Sequence, residues 1–324
     1  MTEHSKINKD TAARTSLFER ADAAFGLHGL GPSRVPRDLP AARIRPATPE
    51  KRPAPAAPAA PVTAEAAPQA STVQAAPEQR VKLCGPLMEI DRFNLKEAGL
   101  IVPEEPVTGL LEEFRIVKRE LLADARASKN AAARRVLVCS PHPGEGKTYC
   151  ATNLAIALAA ERDIEVVLVD ADVINPSVTR RLGIEAEAGL MDALADESIR
   201  PETLVSPTDI DGLFVMAAGS GSAHDAELLA SQRTGQVLDR LTRGAPNRFL
   251  IFDTPPALAA SPAAELAAHV GQALLVVRAD ETSRAALDDA RQLLSACPDI
   301  KLLLNAAQFS PSGRRFGDYG ERED

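Results

Sequence analysis

The sequence predicts an α/β domain in which a mostly parallel β-sheet is flanked by helices. Six short apolar runs lie between Arg134 and Ala306, and helical patterns separate most of them. This alternation is typical of parallel strands joined by crossover helices. The first run leads directly into a glycine-rich segment, Ser140–Thr148, and a helical pattern follows it. A strand, a glycine-rich loop and a helix in this order predict a phosphate-binding loop, and so a P-loop NTPase domain over 82–308.

The chain before this domain has a different composition. Thr15–Phe25, within a first segment at 1–31, has apolar residues at helical spacing. This short helix either stands apart as a docking element or packs back on the main domain, and the sequence does not choose between them. The 46 residues from Pro32 to Pro77 contain eleven prolines, mixed mainly with alanine. Such a stretch has too little bulky apolar surface to fold, so 32–80 is predicted to be a disordered linker.

Within the domain, the first element is a helix over Leu110–Ala125, whose apolar residues mark one face. The strand candidates are RRVLVCS, EVVLVDAD, GLFVMAA, RFLIFDTPP, QALLVVRAD and IKLLLNA. Because both faces of these runs are apolar, all six are expected to be buried strands. The helical patterns that lie among them cover 147–161, 225–242, 262–269 and 283–296. A flexible tail at 309–324 is expected to follow the domain.

Charge and composition exclude several classes of protein. The 37 Lys and Arg residues and 45 Asp and Glu residues give a net charge of −8, which argues against a protein that wraps nucleic acid. No apolar run approaches the roughly 18 residues that span a bilayer, and the first residues lack the apolar segment of an export signal. The four cysteines have no metal-ligand spacing and are expected to be reduced thiols. We therefore expect a cytoplasmic protein.

The predicted phosphate site is the segment PGEGKT. The backbone amides of Gly144, Glu145, Gly146, Lys147 and Thr148 are expected to point at the β-phosphate of a nucleotide. The Lys147 ammonium group supplies positive charge to the β- and γ-phosphates, and the Thr148 hydroxyl can bind Mg²⁺. Tyr149, in the first turn of the helix, is added to the nucleotide-binding residues, and its side chain is expected to pack. The segment departs from the usual pattern in having Pro141 where a first glycine is expected.

Three aspartates follow strands of the same predicted sheet. Asp170 and Asp172 end the run VVLVDAD, and Asp253 ends RFLIFD. A single aspartate after a strand is more often a turn residue or a helix cap. Three of them beside a P-loop favour a metal and nucleotide site, because the carboxyl ends of parallel strands meet at the ligand crevice.

PGEGKT, the strand end Asp170-Ala-Asp172 and the segment Asp253-Thr-Pro-Pro together resemble the bacterial tyrosine kinases. LLEEFRIVKRELL is similar to the ExxRxxR helix of that family, and EIDRFNLKEAGLIVPEEP resembles the tyrosine autokinases of exopolysaccharide and exosortase loci. The resemblance covers about residues 82–305. It implies a P-loop enzyme that uses ATP and Mg²⁺ to phosphorylate tyrosine and regulates exopolysaccharide synthesis or export.

The same resemblance implies roles for single residues. Lys147, Asp170 and Asp172 are the candidate catalytic residues, with Asp172 as the general base toward a tyrosine hydroxyl. Thr148, Asp170 and Asp253 are the candidate magnesium residues, the two aspartates acting through water or from the outer shell. Asn305 lies where relatives contact the adenine base.

The resemblance also implies an assembly. Glu112, Arg115 and Lys118 form a candidate subunit contact in a homo-oligomer, which closes into a ring if the geometry permits; without the family they would be a solvated stripe. Tyr319 is the candidate phosphoacceptor. The expected partner is an inner-membrane polysaccharide chain-length or co-polymerase protein, which recruits the chain to the membrane without direct insertion. Nucleic acid is not an expected partner.

Several positions depart from the family pattern. Ile174 replaces a common arginine, Lys118 replaces the last arginine of ExxRxxR, and Ala306 replaces the lysine of a common LNK tripeptide. The tyrosine-rich tail of the family is reduced here to Tyr319. The alternative function is therefore a non-catalytic or weakly hydrolytic ATP switch that regulates a membrane co-polymerase. A partition-type ATPase is a third hypothesis, which the acidic balance and the absence of an amphipathic membrane helix disfavour.

Overall fold

The computed structural model of this chain describes residues 79–128 and 130–307. The strands of this part form one sheet. They are β1 (Arg135–Cys139), β2 (Glu165–Asp170), β3 (Ser206–Pro207), β4 (Leu213–Met216), β5 (Arg248–Asp253), β6 (Gln272–Arg278) and β7 (Ile300–Asn305). The predicted helix near residues 15–25, the proline-rich linker and the tail with Tyr319 lie outside the described residues.

The strands run in the order β3-β4-β2-β5-β1-β6-β7. All neighbouring pairs are parallel except β3 and β4, which are antiparallel. The mostly parallel sheet is therefore confirmed. Since β1 lies between β5 and β6, the loop after β1 leaves the sheet near its centre, with β2 on the far side of β5.

Helices cover both faces of the sheet. They are α1 (Arg92–Glu97), α2 (Gly109–Ala127), α3 (Lys147–Ala159), α4 (Val178–Leu182), α5 (Leu190–Ala195), α6 (Asp225–Ala230), α7 (Gln232–Thr242), α8 (Pro262–Ala267) and α9 (Arg284–Leu293). Short 3-10 turns at Ala131–Arg134 and Pro201–Thr203 complete the described elements. None of the helices in the described ranges is long and apolar enough to cross a membrane.

Alternating side chains of each strand enter two separate apolar cores. Val136 and Val138 of β1 pack in the core under α2 and α3, which contribute residues such as Phe114 and Leu154. Leu137 of β1 faces the opposite core, formed with helices α5 to α9. A strand with apolar residues on both faces is stable only between two such layers, which is why the apolar runs predict this fold.

Two predicted elements differ in the structure, and several further elements were not predicted. The helical pattern at 225–242 is two helices, because Ser231 has an extended backbone and its hydroxyl donates to the carbonyl of Leu228. The strand β3 and the short helices α1, α4 and α5 were not predicted from the sequence. The run IKLLLNA forms an edge strand and not a buried one, so Leu302 and Leu304 are 57% and 59% exposed.

The segment that precedes α1 lies along the sheet edge formed by β3. The amides of Cys84 and Gly85 donate to the carbonyls of Glu202 and Val205 at 2.9 Å each. Met88 then forms a parallel bridge with Thr208. Gly85 has no room for a side chain, since a β-carbon there would lie 2.6 Å from the Val205 carbonyl oxygen. These contacts cover an edge that would otherwise present unpaired backbone groups.

Candidate functional site

The loop between β1 and α3 has glycine at the two positions where the backbone requires it. Gly144 and Gly146 have φ angles of +82° and +98°, a region that costs energy for residues with a β-carbon. A β-carbon on Gly146 would also lie 2.1 Å from the Asn305 amide nitrogen. Helix α3 begins at Lys147, so the free N–H groups of its first turn face this loop. Such a backbone binds phosphate.

The buried side chain of Glu145 stabilises the loop through hydrogen bonds. One oxygen of its buried carboxylate accepts a hydrogen bond from the amide of His142 at 2.8 Å, and the other accepts from the Thr282 hydroxyl. The side chain of Asn305 donates to the backbone carbonyl of Glu145 at 2.8 Å. Sequence reasoning placed Glu145 and Asn305 in the site but missed Thr282. No local signal identifies a partner that lies 137 residues away along the chain.

Lys147 and Asp172 form a buried ion pair. The Lys147 Nζ atom lies 2.7 Å from Oδ2 of Asp172, and the two side chains are 14% and 3% exposed. The other carboxylate oxygen of Asp172 accepts a hydrogen bond from the amide of Asn175 at 3.1 Å. The structure therefore brings together the predicted P-loop cation and the predicted general base, which the sequence separates by 25 residues.

Asp170 is fully buried and holds the loop that carries Asp172. Its Oδ1 atom accepts from the amide of Asp172 at 3.2 Å, and its Oδ2 atom accepts from the amides of Ser177 and Val178 at 2.9 and 3.0 Å. Burial raises the pKa of Asp170, and these backbone hydrogen bonds oppose that change. Most of the accepting capacity of Asp170 is thus used within the protein, and its role toward Mg²⁺ through water stays a prediction.

Asp253 differs from Asp170 although the two residues are register partners on neighbouring strands. Among the described residues, neither carboxylate oxygen of Asp253 accepts a hydrogen bond of normal geometry. Burial raises the pKa of Asp253 to about 7, and the neighbouring Asp170 and Asp172 add to the effect. The charge of Lys147 and the nearby hydroxyl of Thr148 act in the opposite direction. A buried carboxylate without a partner is costly, and a cation is one of the few groups that relieve the cost.

The groups present fit a Mg²⁺ ion that arrives with a nucleotide. The structure describes no group of three or more His, Cys, Asp or Glu side chains that could hold a metal by themselves. Mg²⁺ at a nucleotide usually takes one or two protein oxygens, with phosphate oxygens and water completing its shell. The buried Thr148 hydroxyl, 3.4 Å from the Ser177 hydroxyl, and the free oxygens of Asp253 are such protein oxygens.

A cavity of about 390 Å³ opens beside the P-loop. Tyr149 and Asn305 line it, together with residues of α2 and the end of β7. The Tyr149 side chain is half-buried, as its predicted packing role requires, and burial raises the pKa of its hydroxyl. The cavity has the size of a small-molecule site, and its walls are polar as well as apolar, with Glu113 and Asn305 among the lining residues.

The predicted charged stripe on α2 is divided between the surface and the interior. Glu112 and Arg115 pair with each other at the surface. Lys118 turns inward: its Nζ atom donates to the Ala157 carbonyl at 2.8 Å and lies 2.9 Å from a carboxylate oxygen of Glu161. This ammonium group thus links α2 to α3, and the contact of Glu112, Arg115 and Lys118 with a neighbouring subunit stays a prediction. Tyr319, the predicted phosphoacceptor, lies outside the described residues.

Comparison with known proteins assigns the domain that contains this site to a family. The family model described as "ParA: NUBPL iron-transfer P-loop NTPase" matches residues 131–304. The tyrosine-protein kinase YwqD of Bacillus subtilis is 28% identical over 236 residues, which are 72% of this chain and 96% of YwqD. The putative tyrosine-protein kinase EpsB of Ralstonia nicotianae is 32% identical over 224 residues, which are 68% of this chain and 28% of EpsB. The chain thus spans nearly all of one relative and about a quarter of the other.

Solved structures have the same fold. The kinase domain of the Escherichia coli tyrosine kinase ETK superposes with a TM-score of 0.53 at 20% identity, covering 69% of this chain and 92% of that domain. The chimerical protein CapA2B2 gives a TM-score of 0.54 at 21% identity, covering 68% and 93%. At these identities the similarity concerns the fold.

Proposed function

The chain belongs to the ParA family of P-loop NTPases, and on the premise that its relatives are bacterial tyrosine kinases we propose that it is an ATP-dependent protein tyrosine autokinase that regulates exopolysaccharide synthesis or export. The observation that carries the proposal is the buried Lys147–Asp172 pair at the P-loop. Asp253, a buried carboxylate with free oxygens, lies beside that pair. A cation, a base and a metal residue are the three groups that phosphoryl transfer to a hydroxyl requires.

ATP binds with its phosphates along the loop and its base in the cavity at Asn305. The backbone N–H groups of 144–148 donate to the β-phosphate, and the Lys147 ammonium group reaches the β- and γ-phosphates. Lys147 has to leave Asp172 to do so. Binding of ATP therefore exchanges one anionic partner of Lys147 for another and frees the Oδ2 atom of Asp172.

The freed carboxylate of Asp172 acts as the general base. A tyrosine hydroxyl, with an ordinary pKa near 10, is a weak nucleophile at neutral pH. Asp172 takes its proton as the tyrosine oxygen forms a bond to the γ-phosphorus atom, and the bond from that atom to the bridging oxygen of ADP breaks. The products are phosphotyrosine and ADP, and the proton passes from Asp172 to solvent. Lys147 stabilises the charge that moves to the phosphate oxygens.

When bound with the nucleotide, Mg²⁺ would neutralise phosphate charge. The Thr148 hydroxyl and the carboxylate of Asp253 would hold it, either directly or through water. Asp170 keeps the loop at 172–178 in place, since its oxygens accept the backbone N–H groups of that loop. Its effect on catalysis is therefore indirect.

Tyr319 of a neighbouring subunit is the proposed acceptor. Arg115 is the remaining surface cation of the predicted subunit contact on α2, because Lys118 is used internally. Phosphorylation would add about two negative charges to a tail that already contains Asp318 and Glu321. Repulsion from the carboxylates of the neighbouring nucleotide site then loosens the head-to-tail assembly.

The proposed partner is a membrane protein that sets polysaccharide chain length. The chain is recruited by this partner to the inner face of the membrane and stays in the cytoplasm. Binding of the partner is proposed to bring several copies together, which raises the rate at which one copy phosphorylates another.

Mass spectrometry after incubation with Mg²⁺-ATP tests the kinase. We expect phosphate on Tyr319, no phosphate in Tyr319→Phe or Asp172→Asn, and unchanged transfer in Asp289→Asn, whose side chain is exposed on α9. Lys147→Ala is expected to lose the thermal shift that Mg²⁺-ATP gives the wild-type protein. ADP release by the wild-type protein without any phosphotyrosine would contradict the kinase.

The second candidate function is an ATP switch without tyrosine transfer. It is favoured by Ile174, which replaces a common arginine of the family and is 66% exposed just beyond Asp172. A switch binds and slowly hydrolyses ATP, so it predicts the same Lys147-dependent thermal shift and no phosphate on Tyr319. The two functions therefore differ in the mass spectrum and not in nucleotide binding.

A further inference from the structure

A basic pocket lies on the flank of α2, away from the nucleotide site. Its lining is Arg115, Lys118, Arg119, Leu122, Arg126 and Glu161, and its volume is about 320 Å³. The three arginines follow one stripe of the helix, since residues three, four and seven apart share a face. The pocket is a concentration of positive charge on a chain whose net charge is −8.

Two of these arginines have no anionic partner in the ranges 79–128 and 130–307. Arg115 pairs with Glu112, and Lys118 pairs with Glu161, but neither Arg119 nor Arg126 makes an ion pair there. Both side chains belong to exposed residues. Lys118 holds the pKa of Glu161 below its usual value, and the charges of Arg126 and Arg115 act in the same direction. Glu161 is therefore a carboxylate that remains ionised among more cations than it can neutralise.

The chain contains an acidic segment within reach of this pocket. Asp318–Asp324 has four acidic residues and one arginine. The described chain ends at Ala307, which lines the same cavity as Glu113 of α2. Along a helix, Glu113 and Arg119 are separated by about 9 Å, and Glu113 and Arg126 by about 20 Å. The eleven residues from Gln308 to Asp318 span up to about 36 Å when extended, and this length also allows for passage around a helix about 10 Å wide.

We infer that the acidic segment Asp318–Asp324 docks in the basic pocket of the same chain. Its carboxylates bind the guanidinium groups of Arg119 and Arg126, which are suited to paired hydrogen bonds with carboxylate. Docking within one chain is favoured over docking between chains because a short tether gives a local concentration in the millimolar range. Recognition of acidic motifs by arginine clusters is a common mode of peptide binding.

Docking has a consequence for regulation that rests on the proposed kinase function. Tyr319 lies within the docked segment, so the pocket keeps this acceptor away from nucleotide sites until the segment is released. The binding itself does not depend on ATP, on Mg²⁺ or on any catalytic residue. Failure of the kinase proposal would therefore leave the docking test unaffected.

Fluorescence anisotropy tests the docking without nucleotide. The probe is a fluorescein-labelled peptide with the sequence of Phe316–Asp324, and the protein is the full chain. In one variant the tail is neutralised by Asp318→Asn, Glu321→Gln, Glu323→Gln and Asp324→Asn. We expect this variant to bind the peptide at least about tenfold more tightly than the wild-type chain, whose own tail competes.

Arginine variants locate the site. In the tail-neutralised chain, Arg119→Ala with Arg126→Ala should weaken peptide binding at least about tenfold, and added salt should weaken it further. Arg291→Ala, which removes an exposed arginine of α9, should leave binding unchanged. Equal peptide affinity of the wild-type and tail-neutralised chains would overturn the inference. Peptide affinity that does not change on replacement of Arg119 and Arg126 would also overturn it. So would a wild-type mass in light scattering that rises with concentration and falls on tail neutralisation, because the occupant would then be a second copy.

Discussion

Replacement of Asp253 by asparagine should stabilise the protein when no nucleotide or metal is bound. Asp253 is a buried carboxylate whose oxygens have no hydrogen-bond partner among the described residues. Asparagine has nearly the same shape and no charge, so the substitution removes the cost of ionising residue 253 in the interior. The same substitution should weaken the response of the thermal shift to Mg²⁺, because residue 253 loses its negative charge and one of its two oxygens.

The size of the effect follows from the pKa of Asp253. Burial raises this pKa from 3.8 to about 7, and each unit corresponds to 1.36 kcal/mol, so the ionised carboxylate costs about 4 kcal/mol above pH 7. The buried amide of asparagine costs about 1–3 kcal/mol if its hydrogens find no acceptor. We expect a net gain of about 1–3 kcal/mol in the free energy of unfolding at pH 8.

The pH dependence has a definite sign. Between pH 4 and pH 7 the native state holds a proton on Asp253 that the unfolded state has lost, so the stability of the wild-type protein falls as the pH rises through this window. The asparagine side chain of the variant does not titrate. The variant's advantage should therefore be about 3 kcal/mol larger at pH 8 than at pH 5.

Urea unfolding in EDTA at pH 5 and pH 8 measures this difference. Asp289→Asn serves as the control, because Asp289 is an exposed aspartate of α9 and its replacement should change stability by less than about 0.5 kcal/mol at either pH. A difference between Asp253→Asn and wild type that is the same at the two pH values would refute the reasoning. The reasoning would also be refuted if Asp253→Asn were less stable than wild type by an amount that grows with pH, because the charge of Asp253 would then be paired and stabilising.

Three other substitutions test contacts that stabilise the fold away from the P-loop. Glu202→Gln should lower the free energy of unfolding by about 2 kcal/mol at pH 7, because hydrogen bonds from Arg240 lower the pKa of Glu202 to about 2. The value allows for the half-exposed side chain of Arg240, since solvent weakens its interaction with Glu202. This contribution to stability is complete above pH 4.5 and should fall by roughly half at pH 3, as measured by urea unfolding. Lys118→Met should lower the free energy of unfolding by about 1–3 kcal/mol in a urea titration at pH 7, since the buried ammonium group donates a hydrogen bond to the carbonyl of Ala157. Gly189→Ala should lower stability by about 3 kcal/mol or more in a urea titration, because a β-carbon there would lie 1.9 Å from the carbonyl oxygen of Ala217.

Matched controls separate these effects from general damage. Arg119→Ala should change stability by less than about 0.5 kcal/mol, in contrast to Lys118→Met, because Arg119 is exposed on the same helix. Gly221→Ala should be tolerated, because the nearest atom to its β-carbon would lie at 3.4 Å. A loss in Glu202→Gln that stays constant from pH 7 to pH 3 would show that packing, and not charge, stabilises residue 202.

The local order of elements around the P-loop follows from the sequence. The apolar run before Ser140 and the helical pattern after Gly146 predict β1 and α3, and the structure has both. Such elements depend on near neighbours in the chain: a continuous apolar run, the conformational freedom of glycine and the first turn of a helix. The same is true of the aspartates that end β2 and β5. Their convergence follows from the rule that parallel strands end at one edge of a sheet.

What each predicted residue contacts was decided only by the tertiary structure. The sequence by itself determined the fold class, the P-loop and the set of acidic residues near it, since those depend on residue type and spacing. It could not tell Asp170, whose oxygens accept three backbone N–H groups, from Asp253, whose oxygens accept none from residues 79–128 and 130–307. Nor could it separate Lys118, buried against α3, from Arg119, the exposed residue next to it. The physical reason is that the number of hydrogen-bond partners and the loss of water at a charged group depend on segments distant in the chain, and these two quantities determine whether a carboxylate braces a loop or remains free to bind a cation.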